Sequence, residues 1–233
     1  MHQEVIKIFI GYDPVESVAW HTMVSSIYRQ SSRPVAIVPL NLGNLKGIFN
    51  RPRDPKQSNE FSFSRFLVPY LCNYEGIGIF FDCDQLLRTD IAEIFNVIDQ
   101  QPAKAIYVVK HTYEPRNDVK YLNTVQYRYP RKNWSSVVLW NCAHVKNRVV
   151  TPEFVNTADA LALHRFTWLD DLEIGELDIR WNWLVGEYDD PPNDVKNVHW
   201  TVGGPYFREY ASADFAEEWR IEQNNINFCL QKD

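Results

Sequence analysis

Six short apolar segments lie along the chain, separated by longer polar or amphipathic stretches. They cover residues 5–10, 34–40, 78–81, 105–109, 136–141 and 198–201. Apolar runs of this length predict buried strands, and strands that alternate with helical patterns predict right-handed crossovers and a parallel sheet. We therefore expect an α/β protein with a mostly parallel central sheet flanked by helices.

The stretch between the first two strands predicts a helix over about residues 14–29. Four of its apolar side chains fall on one face of a 3.6-residue period, namely Trp20, Val24, Ile27 and Tyr28. Asp13 occupies the N-cap position and Pro14 the first helical position, and Glu16 completes a capping box. The start of this helix is therefore well defined.

A second helix is predicted before the third strand, over about residues 60–71. Pro69 is expected to limit or kink this helix, because proline cannot donate a backbone hydrogen bond. The side chains expected in the core are Phe63, Phe66, Leu67 and Tyr70.

Composition and charge exclude several classes of protein. The 233 residues are 45% hydrophobic and 23% charged, which suffices for a large core and fits one domain over residues 1–233. The formal net charge of −6 argues against a nucleic-acid partner, which would need a basic face. No apolar run is long enough to span a membrane, and the first residues lack the parts of a signal peptide. Because the cysteines have no paired spacing, we expect reduced thiols in a cytoplasmic protein at Cys72, Cys83, Cys142 and Cys229.

The third apolar run ends at Asp82-Cys83-Asp84, so two carboxylates follow one strand end. Two carboxylates held close together raise the pKa of one of them, and a divalent cation removes their repulsion. Aspartate oxygens are hard ligands that suit Mg²⁺ or Mn²⁺. The alternative is a solvated turn, but Arg88 and Asp90 follow within one turn, which favours a compact loop.

The segment around these aspartates resembles the DxD region of nucleotide-sugar glycosyltransferases of the GT-A fold. It covers residues 64–95, SRFLVPYLCNYEGIGIFFDCDQLLRTDIAEIF. The likeness is closest to family 8, the glycogenin and lipopolysaccharide galactosyltransferase group. Three further blocks in family order, at residues 8–30, 169–189 and 195–207, spread the resemblance over most of the chain.

The resemblance implies the transfer of a sugar from a nucleoside diphosphate donor, UDP rather than GDP, to a glycan or another hydroxyl acceptor. The implied cofactor is Mn²⁺ or Mg²⁺, with Mn²⁺ favoured by an imidazole ligand. The implied metal ligands are Asp82, Asp84 and His199. The implied donor-binding residues are Gly11, Tyr12, Asp13, Arg65, Asp82, Cys83, Asp84, Gly203 and Gly204. The implied catalytic residues are Asp170 and Asp171.

Some positions depart from the family pattern. The family's His motif is followed by a lysine that binds diphosphate, whereas His199 is followed by Gly-Gly-Pro at residues 203–205. These glycines either let backbone N–H groups approach a diphosphate or form an ordinary turn. The family's Asp-Gln pair is Asp170-Asp171 here, and its NAGV block is SSVV at residues 135–138. The donor sugar and the stereochemical outcome therefore stay open.

Several of these residues also have a structural explanation. Asp13 and Asp170 are candidate helix N-caps. Arg65 is expected to pair with an aspartate of the DCD loop or to reach the donor. Trp181 and Trp183 are expected in the core rather than as platforms for a sugar.

Residues 111–134 differ in character, because they mix tyrosines with basic side chains. These are Tyr113, Tyr121, Tyr127 and Tyr129 with Arg116, Lys120, Arg128, Arg131 and Lys132. A solvated excursion is expected, and contact with an acceptor glycan or an anionic membrane surface is the alternative. Two other functions also stay open: a phosphatase of the haloacid dehalogenase type, whose first aspartate is a nucleophile, and a non-catalytic glycan-binding module.

Overall fold

A computed structural model of the chain describes residues 4–54, 57–112, 114–116, 119–120, 122, 124–125 and 129–227. Its strands are β1 (Ile6–Gly11), β2 (Val35–Leu40), β3 (Ile77–Phe81), β4 (Gln85–Leu87), β5 (Ile106–Val108), β6 (Val119–Lys120), β7 (Thr124–Val125), β8 (Val137–Asn141), β9 (Ile174–Glu176), β10 (Trp183–Leu184) and β11 (Asn197–His199). Its α-helices are α1 (Ser17–Gln30), α2 (Val68–Leu71), α3 (Asn96–Gln100), α4 (Pro152–Thr157), α5 (Ala160–His164) and α6 (Ala216–Asn227). Short 3₁₀ turns include Pro14–Glu16, Ser64–Leu67, Asp171–Glu173 and Ile179–Asn182.

The central sheet has the strand order β2-β1-β3-β8-β5-β9. The pairs β1–β2, β1–β3 and β5–β9 are parallel, whereas β8 runs antiparallel to both of its neighbours. The predicted α/β architecture with a mostly parallel sheet is confirmed, and each predicted apolar segment contains a strand. The reversed strand could not be identified from sequence, because a strand buried on both faces has the same apolar pattern in either direction.

A second, smaller sheet has the order β10-β11-β4, and it contains the last of the predicted strands. In it β11 is antiparallel to β4, with His199 opposite Gln85. The backbone N–H of Trp200 also donates to the carbonyl oxygen of Asp84 at 3.0 Å. The loop after β3 therefore joins the two sheets, and residues from the distant end of the chain lie against it.

The first helix starts differently from the prediction. Asp13 caps the turn Pro14–Glu16 as predicted, since its carboxylate accepts a hydrogen bond from Val15 N at 2.9 Å, but α1 begins only at Ser17. Glu16 is buried and accepts a hydrogen bond from the Tyr206 hydroxyl at 2.6 Å, so the expected capping box is replaced. A buried carboxylate requires a partner, and Tyr206 supplies one from the C-terminal part of the chain.

The second helix is shorter than predicted. Residues Ser64–Leu67 form a 3₁₀ turn, and the α-helix that follows it, α2, covers only Val68–Leu71. The backbone N–H of Glu60 donates to Asp13 Oδ2 at 3.0 Å, which holds this part of the chain against the end of β1 instead of in a helix. Tyr70, which we expected in the core, is 38% exposed. The other predicted core residues of this segment are buried, namely Phe63, Phe66 and Leu67.

Three cysteines, Cys72, Cys83 and Cys142, are buried free thiols, and Cys229 lies outside the described residues. Trp181 and Trp183 are buried, as predicted. Within the described ranges, no helix combines the length and the apolar character that crossing a membrane requires.

Candidate active site

The side chains of the DCD loop point in two directions, as expected where side chains alternate along extended backbone. Asp82 and Asp84 line the main cavity of the described residues. Cys83 lies between them in the hydrophobic core, and burial raises the pKa of its thiol well above the ordinary value. The Cys83 side chain is therefore not placed to contact a donor in this cavity.

Asp82, Asp84 and His199 converge at the junction of the two sheets. Each offers one ligand atom, and these atoms lie within 4.8 Å of one another. All three residues are buried or nearly so, and His199 Nε2 is 3.3 Å from Asp84 Oδ1. Strand pairing between β11 and β4 brings the histidine to the loop from a distant part of the sequence.

Arg65 contacts one aspartate of this group. Its Nη1 lies 2.8 Å from Asp82 Oδ1 and 2.9 Å from the carbonyl oxygen of Ser135, and its side chain is buried. The predicted pairing with an aspartate of the loop is confirmed, and the pair is buried rather than on the surface. Whether Arg65 also contacts a donor stays a prediction.

The two aspartates have different acidities. Burial raises the pKa of Asp82 to about 6, with Arg65 opposing this shift and the charge of Asp84 adding to it. Burial acts in the same direction on Asp84, but His199, the charge of Lys120 and a backbone hydrogen bond together outweigh it and lower that pKa below its ordinary value. The neighbouring carboxylates thus differ in acidity because burial prevails at Asp82 and favourable contacts prevail at Asp84.

The donor atoms fit a divalent cation. Asp82 Oδ1 and Asp84 Oδ1 are both inaccessible to solvent. Arg65 Nη1 lies 2.8 Å from the first and His199 Nε2 lies 3.3 Å from the second, but neither contact is aligned as a hydrogen bond. Buried carboxylate oxygens without such bonds are costly unless a cation compensates them. Two hard oxygens and an imidazole nitrogen suit a first-row divalent ion or Mg²⁺.

The cavity in front of the triad has a volume of about 410 Å³, within the usual range for small-molecule sites. Its wall includes Lys120, Tyr129 and Lys132, so the basic and aromatic block is not only a solvated excursion. Elsewhere in the block, Arg116 pairs with Asp189 at the surface. The remaining predicted members Tyr113, Tyr121, Tyr127 and Arg128 lie outside the described residues.

Gly11, Tyr12 and Asp13 end β1, but the structure does not bring them into the wall of this cavity as far as it is described. A Cβ atom on Gly11 would lie 2.2 Å from the ring of Phe61, so this glycine is required by packing. Tyr12 makes an edge contact with Trp20, and both carboxylate oxygens of Asp13 accept backbone hydrogen bonds. Capping by Asp13 is confirmed, and a donor contact by these residues stays a prediction.

Gly203 and Gly204 also have a packing explanation. A Cβ atom on Gly203 would lie 2.3 Å from the ring of Tyr210, and one on Gly204 would lie 2.2 Å from that of Tyr206. The neighbouring His199 and Thr201 are part of the described cavity wall, whereas the two glycines are not. The geometry therefore favours a packed turn, and a diphosphate contact by these glycines stays untested.

Asp170 and Asp171 are not brought together with the triad. Their side chains are 84% and 83% exposed, and neither lines the cavity in the described part of the chain. Asp170 begins a 3₁₀ turn in which its backbone N–H donates to Glu173 Oε2 at 2.9 Å, and Asp171 pairs with Arg131. This exposed placement suits a helix cap, and a role of Asp170 near a reacting sugar stays a prediction.

Comparison with known proteins gives a clear relative. The chain is 45% identical to Protein CDI of Arabidopsis thaliana over 227 residues, which are 95% of this chain and 87% of that protein. The chain belongs to the family of Protein CDI. No family model matches this CDI-family chain.

Two solved structures share the fold of the CDI-family chain at low sequence identity. The bifunctional glycosyltransferase WbbM superposes with a TM-score of 0.66 at 14% identity, over 97% of this chain and 50% of WbbM. The galactosyltransferase LgtC, solved in complex with donor and acceptor sugar analogs, gives 0.59 at 11% identity over 97% and 98%. The predicted GT-A glycosyltransferase fold is thereby confirmed, and the chain spans half the length of WbbM.

Sequence reasoning missed Asn182, whose side-chain amide contacts the ring of His199 in this CDI-family chain. Asn182 Oδ1 lies 2.8 Å from His199 Nδ1, and the amide is fully buried. The flanking Trp181 and Trp183 are core residues, as predicted. A single amide inside the apolar stretch WNWLV was the available signal, because a buried polar side chain must have partners.

Proposed function

We propose that this CDI-family chain is a metal-dependent glycosyltransferase. It transfers a sugar from a nucleoside diphosphate donor, UDP rather than GDP, to a glycan or another hydroxyl acceptor. The observation that carries the proposal is the buried triad of Asp82, Asp84 and His199 on the wall of the main cavity, in a chain of GT-A fold. The sugar analogs bound by LgtC support the same substrate classes.

Mn²⁺ is the favoured cofactor, because one of the three ligands is an imidazole. When bound, the cation neutralises charge that develops on the departing nucleoside diphosphate. The chain's own residues keep the ligands in place: Arg65 holds Asp82 through an ion pair, and the pairing of β11 with β4 holds His199 beside Asp84.

Two lysines are suited to the phosphates. Lys120 and Lys132 line the cavity, and burial lowers the pKa of both, that of Lys132 to about 8. A buried ammonium gains most from an anion that enters beside it. We infer that these lysines take the place of the family's lysine after the His motif, which this chain lacks.

Ser135 and His164 form a neutral pair on the same wall. Ser135 Oγ is 2.9 Å from His164 Nδ1, and burial, with the charge of Arg65 as the next cause, lowers the pKa of His164 to about 3. So weak a base does not remove a proton from an alcohol at neutral pH. The pair is better suited to orienting a sugar hydroxyl by hydrogen bonds.

The two alternative functions have less support. A phosphatase of the haloacid dehalogenase type needs its aspartates after the first strand, whereas the DCD loop follows β3. Its nucleophile would be Asp82, whose carboxylate is already engaged by Arg65 at 2.8 Å. A glycan-binding module without chemistry does not account for two aspartates and a histidine that converge on the wall of the cavity.

A thermal-shift panel tests the proposal. UDP-sugars, GDP-sugars, CMP-sugars and dTDP-sugars are each added with Mn²⁺ or with EDTA. A ligand at 100 times its Kd stabilises the native state by about 2.7 kcal/mol, which raises the Tm of a chain of this size by roughly 5–10 °C. We expect that shift for UDP-sugars with Mn²⁺ only, and a decreasing effect from UDP to UMP to uridine. Equal shifts in EDTA would contradict metal dependence.

Asp170→Ser tests the role that the family resemblance implies for this residue. Serine also caps helices, so we expect a change in stability within the roughly 0.5 kcal/mol typical of surface substitutions, whereas Asp170→Ala should cost about 0.5–2 kcal/mol. From the exposed position of the carboxylate we expect Asp170→Ser to keep its rate of sugar transfer. A folded Asp170→Ser variant that binds UDP but fails to transfer would restore Asp170 to the catalytic residues.

A further inference from the structure

Asn182 is a buried amide that joins three parts of the site. It ends the turn Ile179–Asn182 and is fully buried. Its Oδ1 is 2.8 Å from His199 Nδ1, and its Nδ2 is 2.8 Å from Ser136 Oγ and 2.9 Å from His111 Nε2. One side chain therefore joins β11 to the segments that contain Ser136 and His111.

The orientation of this amide follows from the partners of Ser136. The Ser136 hydroxyl donates its only proton to the carbonyl oxygen of Asn133, at 2.7 Å. Toward Asn182 the Ser136 oxygen must then accept, so the atom facing it is the amide nitrogen. The Asn133 carbonyl, 3.4 Å from the same nitrogen, also acts only as an acceptor. The amide oxygen is thus left to face His199.

An oxygen that faces His199 Nδ1 requires a hydrogen on that nitrogen. Nε2 is then the nitrogen whose lone pair a cation can use, because any hydrogen that it shares with Asp84 is released when a metal binds. Nε2 is the atom 3.3 Å from Asp84 Oδ1 and thus the one directed at the triad. Hydrogen bonds of this kind to the distal ring nitrogen orient metal-binding histidines generally.

We infer that Asn182 is a positioning residue that holds His199 in the Nδ1–H tautomer, with the Nε2 lone pair directed at the site between Asp82 and Asp84. This inference rests on the proposed function for the identity of the ligand, a divalent cation. Asn182 lies behind the triad. It acts through His199 and is not itself a ligand of the cation or of the substrate.

The hydrogen bonds extend from Asn182 to His111 and from His111 to Tyr188. His111 Nδ1 is 2.9 Å from the Tyr188 hydroxyl, and the two rings stack. Burial, with His199 as the second cause, lowers the pKa of His111 to about 3, so its ring is neutral and its Nε2 accepts from Asn182. The amide therefore has hydrogen-bonding partners on both its oxygen and its nitrogen, which fixes its orientation.

Two substitutions of Asn182 separate positioning from packing. Asn182→Leu preserves the approximate volume and removes the acceptor, and we expect it to weaken Mn²⁺ binding by roughly 10–100-fold. Asn182→Asp keeps an acceptor for His199 Nδ1–H and should retain most of the affinity. Asn147→Leu is the matched control, because Asn147 is also fully buried but bonds the carbonyl oxygens of Ala105 and Asn141. It should bind Mn²⁺ as the wild type does.

The test measures binding of Mn²⁺ alone, from the electron paramagnetic resonance signal of the free ion. It is combined with the nitrogen NMR shifts of His199 in the metal-free protein, which report the tautomer directly. We expect a hydrogen on Nδ1 in the wild type and in Asn182→Asp, with or without a second hydrogen shared between Nε2 and Asp84 in the metal-free state, and a loss of the preference for Nδ1–H in Asn182→Leu.

Wild-type affinity in Asn182→Leu would overturn the inference. So would an Nε2–H tautomer in the wild type, a measurement that stands even if Asn182→Leu does not fold. If the wild type has the Nδ1–H tautomer but binds no Mn²⁺, the proposed metal dependence fails and the orienting role of Asn182 is retained.

Discussion

Asp84→Asn is expected to abolish Mn²⁺-dependent binding of UDP while the chain stays folded. The substitution keeps the shape of the side chain and removes one of the two anionic ligands of the triad. The loss should exceed the roughly 10–100-fold that removal of an outer hydrogen-bonding partner costs a metal site. Titration calorimetry with UDP in Mn²⁺ and in EDTA measures the effect.

The metal-free stability of Asp84→Asn should change by no more than about 1 kcal/mol, because relief of repulsion with Asp82 offsets a weaker contact with His199. Asp90→Asn is the matched control. Asp90 caps the turn Ile91–Phe95 outside the cavity, and asparagine also serves as a cap. An Asp84→Asn protein with unchanged Mn²⁺ dependence would remove this residue from the metal site.

The strands were predictable because their signal is local. An apolar run needs no knowledge of its neighbours to indicate a buried strand, and every such run contains one. The direction of β8 and the separate sheet around β11 were not predictable, because they depend on which distant strands pair. The second helix was overestimated for a related reason, since Asp13 holds the backbone of Glu60 from another element.

The site shows the same division between local and distant information. The aspartates of the DCD loop follow from the sequence around them, and His199 follows from the family resemblance. Asp170 matched a motif equally well, but a carboxylate that caps a turn and one that faces a cavity have the same sequence pattern. Exposure distinguishes them, and it is set by tertiary structure. Asn182 gained its role only through side chains remote in sequence.

Arg65→Met should be the most destabilising of the substitutions considered, because it leaves Asp82 buried without its ion-pair partner. Breaking a buried pair from one side costs about 3–5 kcal/mol. Metal binding should weaken as well, since without the guanidinium the pKa of Asp82 rises further above about 6 and protons compete with the cation. Urea unfolding in EDTA measures the first effect.

The loss of folding stability in Arg65→Met should be larger at high pH than at low pH. The folded-state pKa of Asp82 lies above the unfolded value near 3.9, so the folded state binds the proton more tightly. The contribution of Asp82 to stability is thus fully present below its pKa in the unfolded state and is lost as the pH rises through its pKa in the folded state. We expect a smaller deficit at pH 5 than at pH 8. A deficit that is equal at both values would show that Arg65 acts through packing alone.

Adding Asp82→Asn to Arg65→Met completes the comparison. The double variant has no buried charge at these two positions, so it should recover much of the stability lost by Arg65→Met, and the pH dependence due to Asp82 should disappear. Unlike Arg65→Met, in which Mn²⁺ binding is only weakened, it should not bind Mn²⁺, because one anionic ligand is missing. Recovery of stability without recovery of metal binding would separate the two roles of Asp82, as partner of Arg65 in the free protein and as ligand in the loaded one. A double variant as unstable as Arg65→Met would mean that the guanidinium is needed for its contact with the Ser135 carbonyl, at 2.9 Å, rather than for its charge.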